Sequence, residues 1–236
     1  MCFGGDFIFT SQKSGDMVLM SKCIFVTGTG TDVGKTYVTA LIVKKLRGMG
    51  ISAGYYKFAA SGEMIDNIPA DAWHVKKVAN LPDKKFVSYA YKESVSPHLA
   101  AQLEGRPIEI SVLERDFNAA QKSFDFLVVE GSGGIICPLR WDDKKIILSD
   151  VVKKFDLPTI IVADSGLGTI NATVLTVEHL RAKNIPIKGV ILNRFDENRL
   201  LDVDNAKMII ALTDLPIIAE VPLDASEIDL KISLTT

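Results

Sequence analysis

The sequence is poor in the residues that staple or metallate small proteins. Its 236 residues include three cysteines, Cys2, Cys23 and Cys137, an odd number without CxxC spacing. That excludes a disulfide framework and a thiolate metal pair, and suits thiols in a reducing, cytoplasmic setting. The three histidines, His74, His98 and His179, are as dispersed and show no zinc-type spacing. An excess of one charge is also lacking, since 27 Lys and Arg face 29 Asp and Glu. Without a basic surplus there is no electrostatic footprint for nucleic acid. No apolar run reaches the ~18–20 residues that a membrane span needs, so no membrane partner is expected. Residues 1–21 have neither the basic start nor the continuous apolar stretch of a signal peptide. They read as an extension ahead of the fold, disordered or appended, with a natural start at Met20.

From residue 22 onward short β-branched runs alternate with helical patterns. Cys23–Gly28, Ala53–Lys57, Phe86–Tyr91, Asp125–Gly131, Thr159–Asp164, Lys188–Asn193 and Pro216–Pro222 read as strands. Helices are expected over about 35–49, 70–79, 97–103, 111–121, 148–154, 170–183 and 202–212, with Ser111 and Glu114 forming a capping-box pattern. Continuous Val/Ile/Leu strands separated by helices imply a mainly parallel sheet covered on both faces. No repeat, low-complexity tract or linker divides the chain. The expectation is a single-domain, three-layer α/β/α fold over residues 22–236.

The most informative segment is GTGTDVGKT, Gly28–Thr36, lying between a buried strand and an amphipathic helix. That is the context a phosphate-binding P-loop requires. Backbone N–H groups of such a loop cradle phosphate oxygens, helped by the helix dipole. Gly34 would allow close approach, Lys35 would neutralise the β/γ oxygens, and the Thr36 hydroxyl would bind Mg²⁺. The loop departs from G-x-x-x-x-G-K-[ST], with Thr29 where glycine is required and Gly28 one residue early. A plain glycine-rich turn with an exposed lysine is the alternative.

P-loop sites usually take an acidic residue from another strand to help hold the metal. Glu130 and Asp71 both fit, at a strand end and in a first helical turn; a solvated strand-end carboxylate and a dipole-matched residue are the plainer readings. Lys57, ending the second strand before the loop AASGE, could stabilise charge on a transferring phosphoryl group or simply snorkel at the surface.

Several stretches coincide with one family. FVTGTGTDVGKT (25–36), YYKFAASG (55–62), PADAW around Asp71, SPHLAA (96–101), VVEGSGGIICPL (128–139), SGLGTINATVLT (165–176) and GVILN (189–193) occur in the order found in dethiobiotin synthetases, which the chain resembles. Thr29 is usual in that family. The resemblance implies a P-loop NTPase-like fold and an ATP-dependent cyclo-ligase of biotin biosynthesis. Such an enzyme carboxylates 7,8-diaminopelargonic acid with CO₂, phosphorylates the carbamate to a carbamic–phosphoric anhydride, and closes the ring to dethiobiotin, ADP and phosphate. It implies Lys35 and Lys57 as catalytic cations, and Thr36, Asp71 and Glu130 as Mg²⁺ ligands. Thr31, Asp32, Val33, Gly34, Lys35, Thr36, Tyr37, Asn193 and Pro222 would bind the nucleotide. Thr31, Lys57 and Ser61 would contact the substrate. Leu167, Gly168, Thr169, Ile170 and Asn171 would receive the substrate carboxylate of a neighbouring subunit in a homodimer.

Departures from the family pattern are Phe58, where many members carry proline, a short stretch between Gly62 and Asp71, and Asp32 where some carry Glu. Phe58 leads us to expect an altered entry into the loop. A septum-site or partition-type P-loop ATPase is a rival on fold grounds. Such proteins usually carry a second lysine early in the loop and often a basic amphipathic tail, and this chain has neither.

Overall fold

The computed structural model describes residues 22–84 and 86–234; the expectation for residues 1–21 lies outside them. Seven parallel strands form the central sheet: β1 (Lys22–Gly28), β2 (Ala53–Ser61), β5 (Val87–Tyr91), β6 (Phe126–Gly134), β9 (Thr159–Asp164), β10 (Ile187–Asn193) and β11 (Ile217–Val221). Their order is β11-β10-β9-β1-β6-β2-β5, every neighbouring pair being parallel. Two small antiparallel pairs lie outside the sheet, β3 (Met64–Ile65) with β4 (Ile68–Pro69) and β7 (Pro138–Trp141) with β8 (Lys145–Ile147). The sequence pattern shows neither.

Successive strand residues point to opposite faces, and both faces here are apolar. Ile24, Val26, Tyr55, Val128, Ile160 and Val162 pack with α1 (Lys35–Gly48) and α2 (Ala70–Val78). Phe25, Tyr56, Phe58, Val129, Ile161 and Leu192 pack on the other face with α3 (Pro97–Leu103), α4 (Ile110–Gln121), α5 (Leu148–Lys154), α6 (Thr169–Ala182) and α7 (Leu200–Thr213). The result is the three-layer α/β/α arrangement expected, with a sheet that is wholly parallel.

Among the described residues the α1 face carries two helices, and the segment after β11 completes its cover. Ile228 and Leu234 are buried there, the Lys231 N–H donates to the Ile218 carbonyl at 2.8 Å, and the Lys44 ammonium donates to the Ser226 carbonyl at 3.0 Å. The Tyr37 hydroxyl donates to the Ala225 carbonyl, pinning the tail to the first turn of α1.

Three local expectations need correction. The second strand does not end at Lys57. It runs on to Ser61, because Ala59, Ala60 and Ser61 pair with Tyr89, Ala90 and Tyr91 of β5. The sixth strand likewise continues through Gly134. Ser111 does not cap α4, which starts one residue earlier with Glu109 at the N-cap and no side-chain cap. The Glu109 carboxylate is instead held by Arg140 and by Lys144 at 3.0 Å.

Phe58 does not redirect the chain into a loop. It is 1% exposed and centres an aromatic cluster, its ring centroid 5.4 Å from Tyr56, 6.1 Å from Phe117 and 5.5 Å from Phe155. Because it lies in the same strand as Lys57, this cluster seats the strand from beneath. Phe58→Ala is expected to lower stability by about 3–5 kcal/mol, measured by urea unfolding; an unchanged midpoint would contradict this packing.

Candidate functional site

The strand order reverses around β1, since β6, β2 and β5 lie to one side of it and β9, β10 and β11 to the other. Open α/β sheets bind ligands at such a point, beyond the carboxyl ends of the strands. The loop from Thr29 to Gly34 leaves β1 there and opens α1. Its glycines stand where space is tightest. A Cβ on Gly28 would meet Val33 Cγ2 at 2.7 Å, which accounts for glycine one residue ahead of the usual pattern. Gly34 has φ +89° and its missing Cβ leaves room for the Asn193 amide. Lys35 is buried and donates to the Gly30 carbonyl at 2.7 Å, so its head group curls back over the loop.

Lys57 and Glu130 are direct cross-strand neighbours in β2 and β6. Both are on the α1 face, two residues beyond Tyr55 and Val128. The Lys57 ammonium donates to Glu130 Oε1 at 2.8 Å and also to Asp71 Oδ2 at the start of α2. The Thr36 hydroxyl donates to the same Glu130 Oε1 at 2.8 Å, and the Tyr55 hydroxyl donates to Oε2 at 3.1 Å. Lys35, Thr36, Lys57, Asp71 and Glu130 thus meet on a single cleft of about 890 Å³. The side chains of Lys57 and Glu130 are 5% and 0% exposed, whereas Asp71 opens to the cleft at 42%. The plainer readings of a snorkelling Lys57 and a solvated Glu130 therefore fall.

The electrostatics follow from burial set against partners. Burial alone would discharge Lys57, but Glu130 and Asp71 outweigh it and hold the ammonium well above the ordinary lysine range. Burial likewise opposes ionisation of Asp71; Lys57, Thr36 and Lys35 overcome it and keep the carboxyl below its usual value. Lys35 goes the other way. Its burial, only partly offset by Glu130 and aggravated by nearby Lys57, lowers its pKa. Burial, reinforced by Glu130 and Asp71, raises the Tyr55 phenol well above its normal value, so it serves as a neutral donor.

The other expected residues are distributed as follows. Thr31, Asp32, Gly34, Tyr37 and Ser61 line the same cleft, with the Ser61 hydroxyl donating to the Val95 carbonyl at 2.7 Å. The Tyr37 hydroxyl is turned to the tail, as described above. Val33 offers its carbonyl to Asn193 Nδ2 at 3.0 Å, and Asn193 Oδ1 is buried without a partner. Pro222 lines a second cavity, of about 800 Å³, that shares Arg194 with the first. The segment Leu167–Asn171 is not brought to the cleft of its own chain. It forms the start of α6, where Leu167 is 93% exposed and Thr169 is buried.

Tyr55, His74, Ser94, Ser132, Cys137 and Arg194 also surround the site, none of them expected there from the sequence. A period-two reading of β2 would have found Tyr55, which shares the face of Lys57. Arg194 directly follows Asn193 in the left-handed conformation (φ 58°) and donates to the Asp32 carbonyl at 2.9 Å. Cys137 lies at the cleft with its thiol pushed up to about 11 by burial, which makes it a poor nucleophile. Among the described residues no cluster of three His, Cys, Asp or Glu side chains forms a metal cage.

A strand, a glycine-rich loop, a helix opening on Lys-Thr and an acidic strand residue on the threonine define a P-loop nucleoside-triphosphate-binding protein. The family model for the AAA domain matches residues 22–227. An ATP-dependent dethiobiotin synthetase BioD of Brachyspira hyodysenteriae is 50% identical over 202 residues, 84% of this chain and 91% of that protein. Namesakes from Clostridium botulinum Eklund 17B and Clostridium perfringens are 46% and 42% identical, covering 84% and 86% of this chain and 89% and 91% of their own lengths. The chain belongs to the ATP-dependent dethiobiotin synthetase family. Among solved structures, the MinC:MinD cell division protein complex of Aquifex aeolicus is similar at TM-score 0.52 and 18% identity, over 86% of this chain and 81% of that one. That likeness concerns the fold alone.

The buried pair yields a test with a definite sign. In Lys57→Met the Glu130 carboxylate would lose its adjacent cation inside the protein, a loss of about 3–5 kcal/mol at pH 8. Adding Glu130→Gln should recover much of the loss. Urea unfolding of the single and double variants measures it, and a double variant no more stable than Lys57→Met would show that Lys57 does not neutralise Glu130.

Proposed function

We propose that this chain makes dethiobiotin from 7,8-diaminopelargonic acid, CO₂ and ATP in the cytoplasm, by the carbamate route. The observation that carries the reading is the meeting of Lys35, Thr36, Lys57, Asp71 and Glu130 on one cleft at the helix start. A neutral amine of the substrate attacks CO₂, forming the C–N bond of a carbamate and releasing a proton. A carbamate oxygen then attacks the γ-phosphorus and ADP departs, leaving a carbamic–phosphoric anhydride. The second amine attacks the anhydride carbon, phosphate leaves and a second proton is released.

The residues would serve this by positioning and charge. The N–H groups of the loop would cradle the β-phosphate while Lys35 neutralises the oxygens of the transferring group. Lys57 remains charged throughout the neutral range and would hold the carbamate oxygens, keeping a group prone to lose CO₂ beside the phosphorus. Thr31 and Ser61 line the cleft where the amine end would lie.

The donor chemistry also fits Mg²⁺. Thr36, Asp71 and Glu130 offer hard oxygens, and this ion takes one or two carboxylates, leaving its other positions to phosphate and water. When bound there it would supply charge neutralisation at the β and γ phosphates. Because Lys57 already engages both carboxylates, the lysine and the metal would share them.

A homodimer would bring the start of α6 to a neighbouring cleft. Free N–H groups at a helix start suit a carboxylate, and the exposed Leu167 and Leu175 suit a contact surface. A Leu167→Asp/Leu175→Asp variant should sediment as a monomer and show a raised KM for the diamine; a variant still dimeric would move the interface elsewhere.

Phosphate release measures the activity. It should require the diamine and bicarbonate together, and release indifferent to the diamine would favour a switch ATPase. Lys35→Ala should lower kcat about a hundred- to thousandfold, the usual loss for a transition-state charge donor. Glu130→Gln should raise the Mg²⁺ concentration for half-maximal turnover; an unchanged metal titration would remove Glu130 from the ligand set.

A further inference from the structure

The second cavity, of about 800 Å³, adjoins the catalytic cleft through Arg194. The loop forming one wall, Arg194–Arg199, is held from below by Asp202, which is fully buried. The carboxylate of Asp202 accepts from the Asp196 N–H at 2.9 Å, from the Ser165 hydroxyl at 2.9 Å and from Arg199 at 2.6 and 2.8 Å. Arg194 is tied to the Asp164 carboxylate and to the Asp32 carbonyl of the phosphate loop. The wall is therefore fixed relative to the triphosphate site. Phe195, Pro222 and Leu223 add apolar surface on which a planar ring could rest.

The carboxylates on this cavity differ in their commitments. Asp164 is engaged by Arg194 and Glu220 by Lys231. Asp196 lines the cavity with Oδ1 accepting from the Asn198 N–H at 2.9 Å and its side-chain amide at 3.3 Å. That turn orients the carboxylate and leaves Oδ2 as an acceptor. A carboxylate can only accept hydrogen bonds. Guanine presents two adjacent donors on one edge, N1–H and the exocyclic N2 amine. Adenine presents a bare N1 and a C2–H at the same places.

We propose that Asp196 reads the nucleobase, and that this chain takes GTP as well as ATP. This rests on the assignment of the cleft to a nucleoside triphosphate. The carboxylate makes charge-assisted bonds to the guanine edge, while adenine is held by the apolar walls and loses nothing that other bases share.

Titration calorimetry of the full chain with Mg²⁺ and ATP, GTP or XTP tests this. In the natural chain GTP should bind within about tenfold of ATP. Asp196→Asn keeps Oδ1 for Asn198 but places an N–H donor where Oδ2 stood. It should weaken GTP roughly ten- to hundredfold, the worth of hydrogen bonds to a charged group, and leave ATP within about threefold. It should also strengthen XTP, whose base carries a carbonyl in place of the N2 amine. Glu197→Gln, on the same wall, should change neither ATP nor GTP. ATP binding without GTP binding would overturn the inference alone, as would an equal loss of ATP and GTP in Asp196→Asn. Binding of neither nucleotide to the natural chain would overturn the reading of the cleft itself.

Discussion

Everything at the cleft depends on an ammonium and a carboxylate shut inside the sheet. Lys57 and Glu130 would each be costly to bury alone, and together they are tolerable because they pair with each other and take further hydrogen bonds with Asp71, Thr36 and Tyr55. That requirement explains the neighbourhood. Tyr55 must stay neutral to donate, α2 must begin where its first-turn aspartate meets the lysine, and β2 must continue past Lys57 so that the lysine stands in mid-strand. The aromatic cluster around Phe58 on the opposite face keeps that strand seated. Buried charge and core packing are therefore properties of the same nine residues of β2.

The two faces of the sheet divide the work. Five helices cover one side and form the larger apolar cluster. The other side carries α1, α2 and the tail, and all five residues of the charged constellation belong to it or to the edge above it. The tail completes that thinner layer, and through Tyr37 and Lys44 it is joined to the helix that opens at the phosphate loop.

Much of this could be read from the sequence, for physical reasons. Strand and helix periods are local, so the main elements and the wholly apolar strands were legible, as was the phosphate loop between them. Lys35 and Thr36 follow from that context. Lys57 and Glu130 were visible only as candidates. The adjacency of β2 and β6 is non-sequential, and nothing local announces that positions 57 and 130 stand side by side. The end of β2 was misread because Ala59, Ala60 and Ser61 are small and followed by glycine, yet pairing with β5 keeps them extended. The capping pattern at Ser111 failed because tertiary partners, Arg140 and Lys144, engage Glu109 and draw the helix start back by a residue. Ser61 and Asn193 came from family resemblance, since a lone serine or asparagine at a strand end carries little meaning by itself.

The clasp of Asn193 and Arg194 on the phosphate loop has a further result. In a trans peptide the carbonyl and the N–H of the next residue point in opposite directions. With the Asp32 and Val33 carbonyls drawn towards β10, the amides of Val33 and Gly34 are turned the other way. The anion cradle is thus preorganised by two side chains, one from the last residue of β10 and one from the residue after it. Its conformational entropy is spent when the chain folds, so an arriving polyphosphate meets a nest already wound.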